Sequence, residues 1–357
     1  MSEMSRQGLW VMVLAGGVGS RFWPLSTPER PKQLLSLGSE RPLICDTVER
    51  AALLAPKERI RLLAGESLGA ALLPAVPGLD GSNLWAEPAA RGTGPVLVWA
   101  AFRAHQRDPG AVMVSLHADH VISPPERFAE DVRAAVRLAN EYRRLFTIGV
   151  PPNRPETGYG YIRTGDTLEG GEGFRVAEFV EKPDRKRAER YLAAGGYWWN
   201  TGIFVWRVAD LLEEVRVHTP EIAPQLELLE KGRDDAFFER VTPVSIDEGV
   251  LERSGRVGVV RANFRWDDAG AWDSLFRTST PDEDGNVVVG AAHAVDTTGS
   301  VLFAEDGPVV TFGVDDLIVV RAAGITLVTR PERAPGLKEL LARLPERLRA
   351  PNPPGQP

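Results

Sequence analysis

The 357-residue chain contains one cysteine, five histidines and six lysines, the last against thirty-six arginines. The single Cys45 excludes an internal disulfide and any cysteine-built metal site, and fits a reducing compartment, so a cytoplasmic location is expected. No apolar run approaches the roughly 18 to 20 residues that a membrane span requires. The start of the chain is short and polar, and the apolar stretch at residues 9–15 lacks a small-residue cleavage pattern, so nothing points to secretion. An excess of positive charge is also missing. Lys and Arg number 42 against 49 Asp and Glu, a formal charge of −7, which argues against a nonspecific nucleic-acid binder and leaves room for a small anionic ligand. Scarce lysine reflects genome composition, and it makes each lysine worth inspecting.

What is present is ordinary globular material, 43% hydrophobic and 8% aromatic, enough to bury a core in one large domain or two. Short β-rich runs at residues 9–15, 60–64, 83–86, 111–116 and 145–150 alternate with amphipathic helical stretches. That is the pattern of βαβ units and a mostly parallel sheet in an α/β fold. Asp46-Thr47-Val48-Glu49 reads as a capping box opening one helix, Pro95 suits the first turn of another running towards Gln106, and residues 128–142 supply a third. Residues 158–163 and 175–181 are extended runs expected to form an antiparallel insertion over the sheet, which could serve as a lid. From Val287 the chain turns all-β, with runs at 301–304, 309–312, 317–321 and 325–329 between glycine turns and no strict repeat. A β-roll or β-helix fits. A helix over 337–348 and a proline-rich tail that frays complete the reading. The boundary near residues 281–285 gives domains 1–280 and 281–357.

The most informative segment is Leu14-Ala15-Gly16-Gly17-Val18-Gly19-Ser20-Arg21-Phe22-Trp23-Pro24-Leu25, running on to Pro31-Lys32-Gln33. Glycines directly after a strand let phosphate oxygens approach backbone N–H groups, and Arg21 and Lys32 add two full charges. A bare glycine cluster is equally a tight turn. The segment lacks the Gly-Lys-Ser/Thr of the Walker loop, and Phe22 stands where the dinucleotide fingerprint places its third glycine. Asp119 follows the run at 111–116, at the carboxyl end where open α/β sheets bind ligands; an Asp there is equally a turn former or a helix cap. His117 and His120 beside it suit hydrogen bonding or packing better than zinc, because no third ligand follows at helical spacing.

Gly17-Val18-Gly19-Ser20-Arg21, Pro24-Leu25 and Pro31-Lys32 closely resemble the signature of the nucleotide-sugar pyrophosphorylases. The resemblance implies a Rossmann-like, GT-A-like nucleotidyltransferase domain, in which a sugar-1-phosphate oxygen attacks the α-phosphorus of a nucleoside triphosphate and diphosphate leaves. It implies that Arg21 and Lys32 are catalytic and that Leu14, Ala15, Gly16, Gly17, Gly19 and Ser20 bind the nucleotide. Trp266-Asp267-Asp268-Ala269-Gly270 resembles the family's second metal motif, in which an Asp stands two residues before a Gly, so Asp268 and not Asp267 joins Asp119 around Mg²⁺ or another divalent cation.

Glu87-Pro88-Ala89-Ala90-Arg91-Gly92-Thr93-Gly94-Pro95 resembles the base-reading segment of the GDP-mannose-forming branch, with Gly92 and Gly94 departing from Asn and Ala. Guanine offers two adjacent donors, N1–H and the 2-amino group, and the Glu87 carboxylate can accept both. Gly92 and Thr93 belong to the same nucleotide loop. Segments 157–162, 179–183 and 199–204 resemble, in order, those lining the sugar pocket, giving Tyr159, Gly160, Glu181, Lys182, Asn200 and Thr201 as sugar-phosphate-binding residues. On physical grounds Glu181 and Asn200 can hold vicinal hydroxyls and Lys182 can meet the phosphate. Taken singly, Gly-Tyr-Gly-Tyr is also a hairpin and Trp198-Trp199 a core pair. Residues 245–250 resemble the same branch and are given a structural role and support of the sugar pocket, without chemistry.

The expected ligands are GTP, mannose 1-phosphate, GDP-mannose and diphosphate, with no nucleic acid and no membrane. The segment from Gly313 to Val320 resembles the branch's β-helical tail, which implies a homodimer through the C-terminal domain. Relatives with a phosphomannose isomerase activity carry a further domain, so that activity is not expected here. Another sugar or base, or a catalytically silent nucleotide-sugar sensor, remains the alternative.

Overall fold

The computed structural model describes residues 8–17 and 19–349. The polar start, Val18 of the glycine motif and the tail expected to fray lie outside the described residues. By its contacts the chain forms two compact units interleaved in sequence, Met1–Gly16, Thr47–Ala118 and Ile122–Trp266 in the first, Gly17–Asp46, Asp119–Val121 and Asp267–Pro357 in the second. No helix among the described residues is long and apolar enough to cross a membrane.

The first unit carries β1 (Leu9–Leu14), β2 (Ile60–Gly65), β3 (Leu84–Glu87) and β4 (Val112–His117), then, beyond the short strand β5 (Val121–Ser123), β6 (Leu145–Val150), β7 (Tyr161–Thr167), β8 (Phe174–Val180), β9 (Tyr197–Arg207) and β10 (Val257–Arg261). Their order in the sheet is β3-β2-β1-β4-β9-β6-β10-β8-β7. All six residues of β1, Leu-Trp-Val-Met-Val-Leu, are buried, the continuous apolar run that a strand covered on both faces requires. Trp10, Met12 and Leu14 share a core with Leu97, Ala100 and Ala104 of the helix Thr93–Arg107 and with Leu211 and Val215 of the helix Val208–His218.

Strands β1 to β4 run parallel, with β2 and β3 on one side of β1 and β4 on the other. The strand order therefore reverses between β1 and β4, the place where open α/β sheets leave a crevice at their carboxyl ends. In the chain the glycine motif follows β1 and Asp119 follows β4, and Leu14 and His117 are in register at the two strand ends.

Two expectations need correction. The helix expected to open at Asp46 spans Leu43–Ala52, because its hydrogen bonding begins at the Pro42 carbonyl, which accepts from Cys45 N at 2.9 Å. Asp46 instead accepts from Ser39 Oγ at 2.7 Å and Arg41 Nη2 at 2.9 Å. The antiparallel pair after Val150 is no insertion over the sheet: β8 pairs antiparallel with β10, and β7 pairs with both β8 and β9. Ile162 and Phe179 lie in the main core with Phe174, Val176 and Trp198 packed against it, so burial draws these strands into the sheet.

In the second unit, following the short strand β11 (Arg265–Asp267), come β12 (Val287–Thr298), β13 (Val301–Asp315), β14 (Ile318–Ala322) and β15 (Ile325–Thr329). β12 and β13 pair in parallel although only two residues separate them, so each must bend through a full turn of a coil. Val287 pairs with Val301 and Ala292 with Val309, an offset that changes from 14 to 17 residues and leaves the β-helix without a strict repeat. Inside the coil, buried Asn286 donates to the Thr297 carbonyl at 2.7 Å and accepts from Ser300 N at 3.0 Å. The final helix breaks into Leu337–Arg343 and Glu346–Arg349, with Pro345 between them. Its Leu337 shares a core with Phe22, Trp23, Leu25, Leu35, Trp272, Val301 and Ile318.

Candidate active site

At the carboxyl end of β1, Leu14 and Ala15 are buried and Gly16 and Gly17 are exposed, with Gly19 and Ser20 partly so. Gly17 and Gly19 hold φ at 89° and 76°, the left-handed region that favours glycine. At Gly19 a side chain is excluded outright, since a Cβ there would stand 2.3 Å from the Lys32 Cβ. A turn over Ser20–Phe22 follows, with Phe22 in the core and Arg21 exposed. Gln33 donates to the Gly17 carbonyl at 3.1 Å and ties the loop to the segment that carries Lys32.

Lys32 is the centre of this cluster. Its side chain is only 7% exposed, yet its Nζ donates to Asp119 Oδ2 at 2.8 Å and to the Asp268 backbone carbonyl at 2.7 Å. The same ammonium stands 5.8 Å from the Phe22 ring centroid. Three distant stretches of sequence thus meet around one charge. A buried ammonium is tolerated only with such partners. The neighbouring carboxylates are differently committed. Asp267 is buried, accepts from Ala269 N at 2.9 Å and pairs with Arg277 Nε at 2.5 Å. Asp268 is partly exposed, and a Cβ on Gly270 would fall 2.8 Å from its Oδ2, which accounts for the Asp-x-Gly spacing. Ala269 between them is held at a φ of 44°, a strained conformation of the kind that clusters at functional sites. Asp119 and Asp268 offer hard oxygen donors of the sort that suit Mg²⁺, whereas Asp267 is spent on structure.

In the first unit, Glu87 ends β3 with its side chain partly exposed, and burial pushes its carboxyl above the usual range. Gly92 caps the helix Thr93–Arg107, and Thr93 Oγ1 accepts from Ile246 N at 3.0 Å. Arg91 donates to the Phe238 carbonyl at 2.7 Å.

The residues expected at the sugar phosphate divide by role. Tyr159 is 8% exposed and packs edge-on against Trp199 and Trp266, with its hydroxyl accepting from Arg154 at 3.2 Å. Thr201 is buried and gives its hydroxyl to the Ile148 carbonyl at 2.8 Å, so it faces into the sheet. The Gly160 carbonyl accepts from Asn200 N at 2.8 Å. Glu181 and Lys182 pair at 2.5 Å, and Lys182 carries a φ of 44°. Burial is the largest single influence and works against the Lys182 charge, but the bond to Glu181 together with the charges of Glu181, Asp247 and Glu248 outweighs it and raises the ammonium's pKa.

Asn200 is bound on both sides of its amide: Oδ1 accepts from Thr147 Oγ1 at 2.8 Å and Gly202 N at 3.2 Å, and Nδ2 donates to Asp247 Oδ1 at 2.8 Å. Asp247 is the neighbour that the sequence reading leaves without chemistry. Its segment shows an acidic pair after Ser245 and Ile246, and nothing local says that the first acid meets Asn200 across 47 positions.

Residues 10–285 match the model of the nucleotidyl transferase family, and residues 288–344 match that of the MannoseP isomerase/GMP-like beta-helix domain. The chain belongs to the nucleotidyl transferase family. It is 35% identical to the mannose-1-phosphate guanylyltransferase ManC of Salmonella typhimurium, over 96% of this chain and 74% of that protein. It is 33% identical to the alginate biosynthesis protein AlgA of Pseudomonas aeruginosa, over 93% of this chain and 71% of that protein. Among solved structures, a Thermus thermophilus protein described as a mannose-1-phosphate geranyltransferase superposes with a TM-score of 0.87 at 36% identity, covering 94% of this chain and 99% of that one. The chain is accordingly a nucleotidyltransferase enzyme of the mannose-1-phosphate guanylyltransferase group, an α/β catalytic fold followed by a β-helix-like domain.

Proposed function

We propose that this nucleotidyltransferase joins GTP and mannose 1-phosphate to give GDP-mannose and diphosphate. The observation that carries the reading is Lys32, held between Asp119 and the Asp268 backbone. The relatives' names supply the sugar and the base.

In the transfer, a phosphate oxygen of the sugar attacks the α-phosphorus, the α–β bridging bond breaks, and its electron pair leaves with diphosphate. Such a transfer needs in-line positioning and neutralisation of charge more than covalent help. The N–H groups of Gly16, Gly17, Gly19 and Ser20, after Leu14 and Ala15, cradle phosphate oxygens. Arg21 and Lys32 offset the charge that grows on the leaving diphosphate. Asp119 and Asp268 are the carboxylates that would hold Mg²⁺ or another divalent cation, which supplies further neutralisation when bound. Glu87 accepts from the guanine N1–H and 2-amino group, with Gly92 and Thr93 in the same loop. Lys182 meets the sugar's phosphate, and Glu181 takes its hydroxyls within a frame built from Tyr159, Gly160, Asn200 and Thr201.

The reading places the enzyme in the cytoplasm, acting on small molecules without nucleic acid or membrane, and as a homodimer through the C-terminal coil. Exposed Val310 and Phe312 on β13 and Val328 on β15 support that assembly. The test offers purified protein each nucleoside triphosphate with each hexose 1-phosphate and Mg²⁺, measuring diphosphate. GTP with mannose 1-phosphate is expected to give the highest kcat/KM; a clear preference for another pair overturns the assignment.

A further inference from the structure

Around the Glu181-Lys182 strand end lies a second carboxylate that the roles above leave unused. Asp247 opens a single π-turn over Asp247–Leu251, in which its carbonyl accepts from Glu252 N at 2.9 Å. Isolated π-turns of this kind recur at functional sites. A backbone N–H can only donate, so the Gly202 N–H fixes the oxygen of the Asn200 amide on its own side and turns Nδ2 towards Asp247. Asn200 therefore has no free acceptor to offer a hydroxyl. Asp247 has one oxygen beyond the bond from Asn200, and Glu181 Oε2 is buried without a hydrogen-bond partner. An orphaned buried carboxylate oxygen asks for a donor.

Resting on the functional reading just given, we propose that Asp247 is a specificity-determining residue, which together with Glu181 receives vicinal hydroxyls of the hexose 1-phosphate while Asn200 positions it. The segment is anchored for that task. Gly94 N donates to the Val244 carbonyl at 3.1 Å and Thr93 Oγ1 accepts from Ile246 N, so the loop assigned to the base braces the turn that presents Asp247. The two departures from the branch pattern serve the same contact: a Cβ on Gly92 or on Gly94 would stand 2.8 Å from the Val244 carbonyl oxygen.

The groups acting on Asp247 are Glu181 and Lys182, just past the end of β8, and Asn200 from β9; Glu248 acts on Lys182, and Glu252 accepts from Glu181 N at 2.6 Å. Although part of Asp247 reaches solvent, the protein packed around it pushes its carboxyl up to about 7. The Glu181 charge adds to that shift, while Lys182, the residue's own backbone N–H and the Asn200 amide partly offset it. Below about pH 7 Asp247 holds a proton, and above it the ionised carboxyl is purely an acceptor, the form that receives a hydroxyl.

The experiment compares wild type with Asp247→Asn from pH 6 to 8.5, varying mannose 1-phosphate at saturating GTP and the reverse. At pH 7 the variant's KM for the sugar phosphate is expected to rise about tenfold or more, the worth of a hydrogen bond to a charged group. Its KM for GTP should stay within about twofold. Wild-type KM for the sugar phosphate should fall as pH rises through about 7, so that the variant-to-wild-type ratio rises; the substrate's own titration cancels in that ratio. A ratio near one at every pH, or equal losses for both substrates, overturns the proposal. Should the variant fail to fold, a wild-type sugar-phosphate KM no more pH-dependent than that for GTP overturns it. Absence of turnover with every hexose 1-phosphate would instead overturn the functional reading itself.

Discussion

Adjacent aspartates, Asp267 and Asp268, sit in different surroundings, and the opposite duties proposed for them rest on that difference. Asp267 bonds Arg277 and the Ala269 N–H from a buried position, so Asp267→Asn is expected to lower stability by about 1–3 kcal/mol in chemical denaturation. Asp268→Asn should leave the midpoint within about 0.5 kcal/mol and reduce turnover by about 10³-fold or more. Equal destabilisation by the two would show that the division of labour is wrong. The Asp-x-Gly motif makes Asp268 legible in the sequence; the Arg277 partner of Asp267, ten residues on, is not signalled by any pattern there.

At the level of elements, the glycine loop positions Lys32 sterically as well as offering backbone donors. Gly19→Ala forces a Cβ into the Lys32 side chain, whereas a Cβ at Gly17 meets nothing within 4 Å although both glycines have positive φ. Both variants bear backbone strain, but only Gly19→Ala should displace the ammonium. Its kcat is expected to fall about 10²-fold, against a much smaller loss for Gly17→Ala, measured by steady-state diphosphate release. Equal losses would assign the loop a purely conformational role. The parallel strand β1 is legible because a strand covered on both faces is a continuous apolar run. The place of β7 and β8 is not, since a hairpin reads the same whether it lies over a sheet or extends it, and only the distant partners β9 and β10 decide. The helix start at Leu43 is likewise set by the Pro42 carbonyl, against the stronger-looking cap at Asp46.

For the whole molecule, the motifs in sequence order imply the α/β fold and the family before any coordinates, because each carries chemistry at fixed spacing. Less visible is the interleaving of the two units, in which Phe22 and Trp23 of the glycine segment share a core with Val301 and Ile318 of the β-coil. Non-local packing of that kind leaves no periodic trace. Asp247 escapes for the same reason, its meaning resting on Asn200 and Glu181 in other parts of the chain.

The account depends on Lys32 as the charge around which transfer is organised. Diphosphate release from GTP and mannose 1-phosphate in the presence of Mg²⁺, measured for wild type and Lys32→Ala with folding checked by circular dichroism, tests it most directly. The variant is predicted to fold and to lose about 10³-fold or more in kcat. A folded Lys32→Ala protein that turns over within about tenfold of wild type would contradict the account.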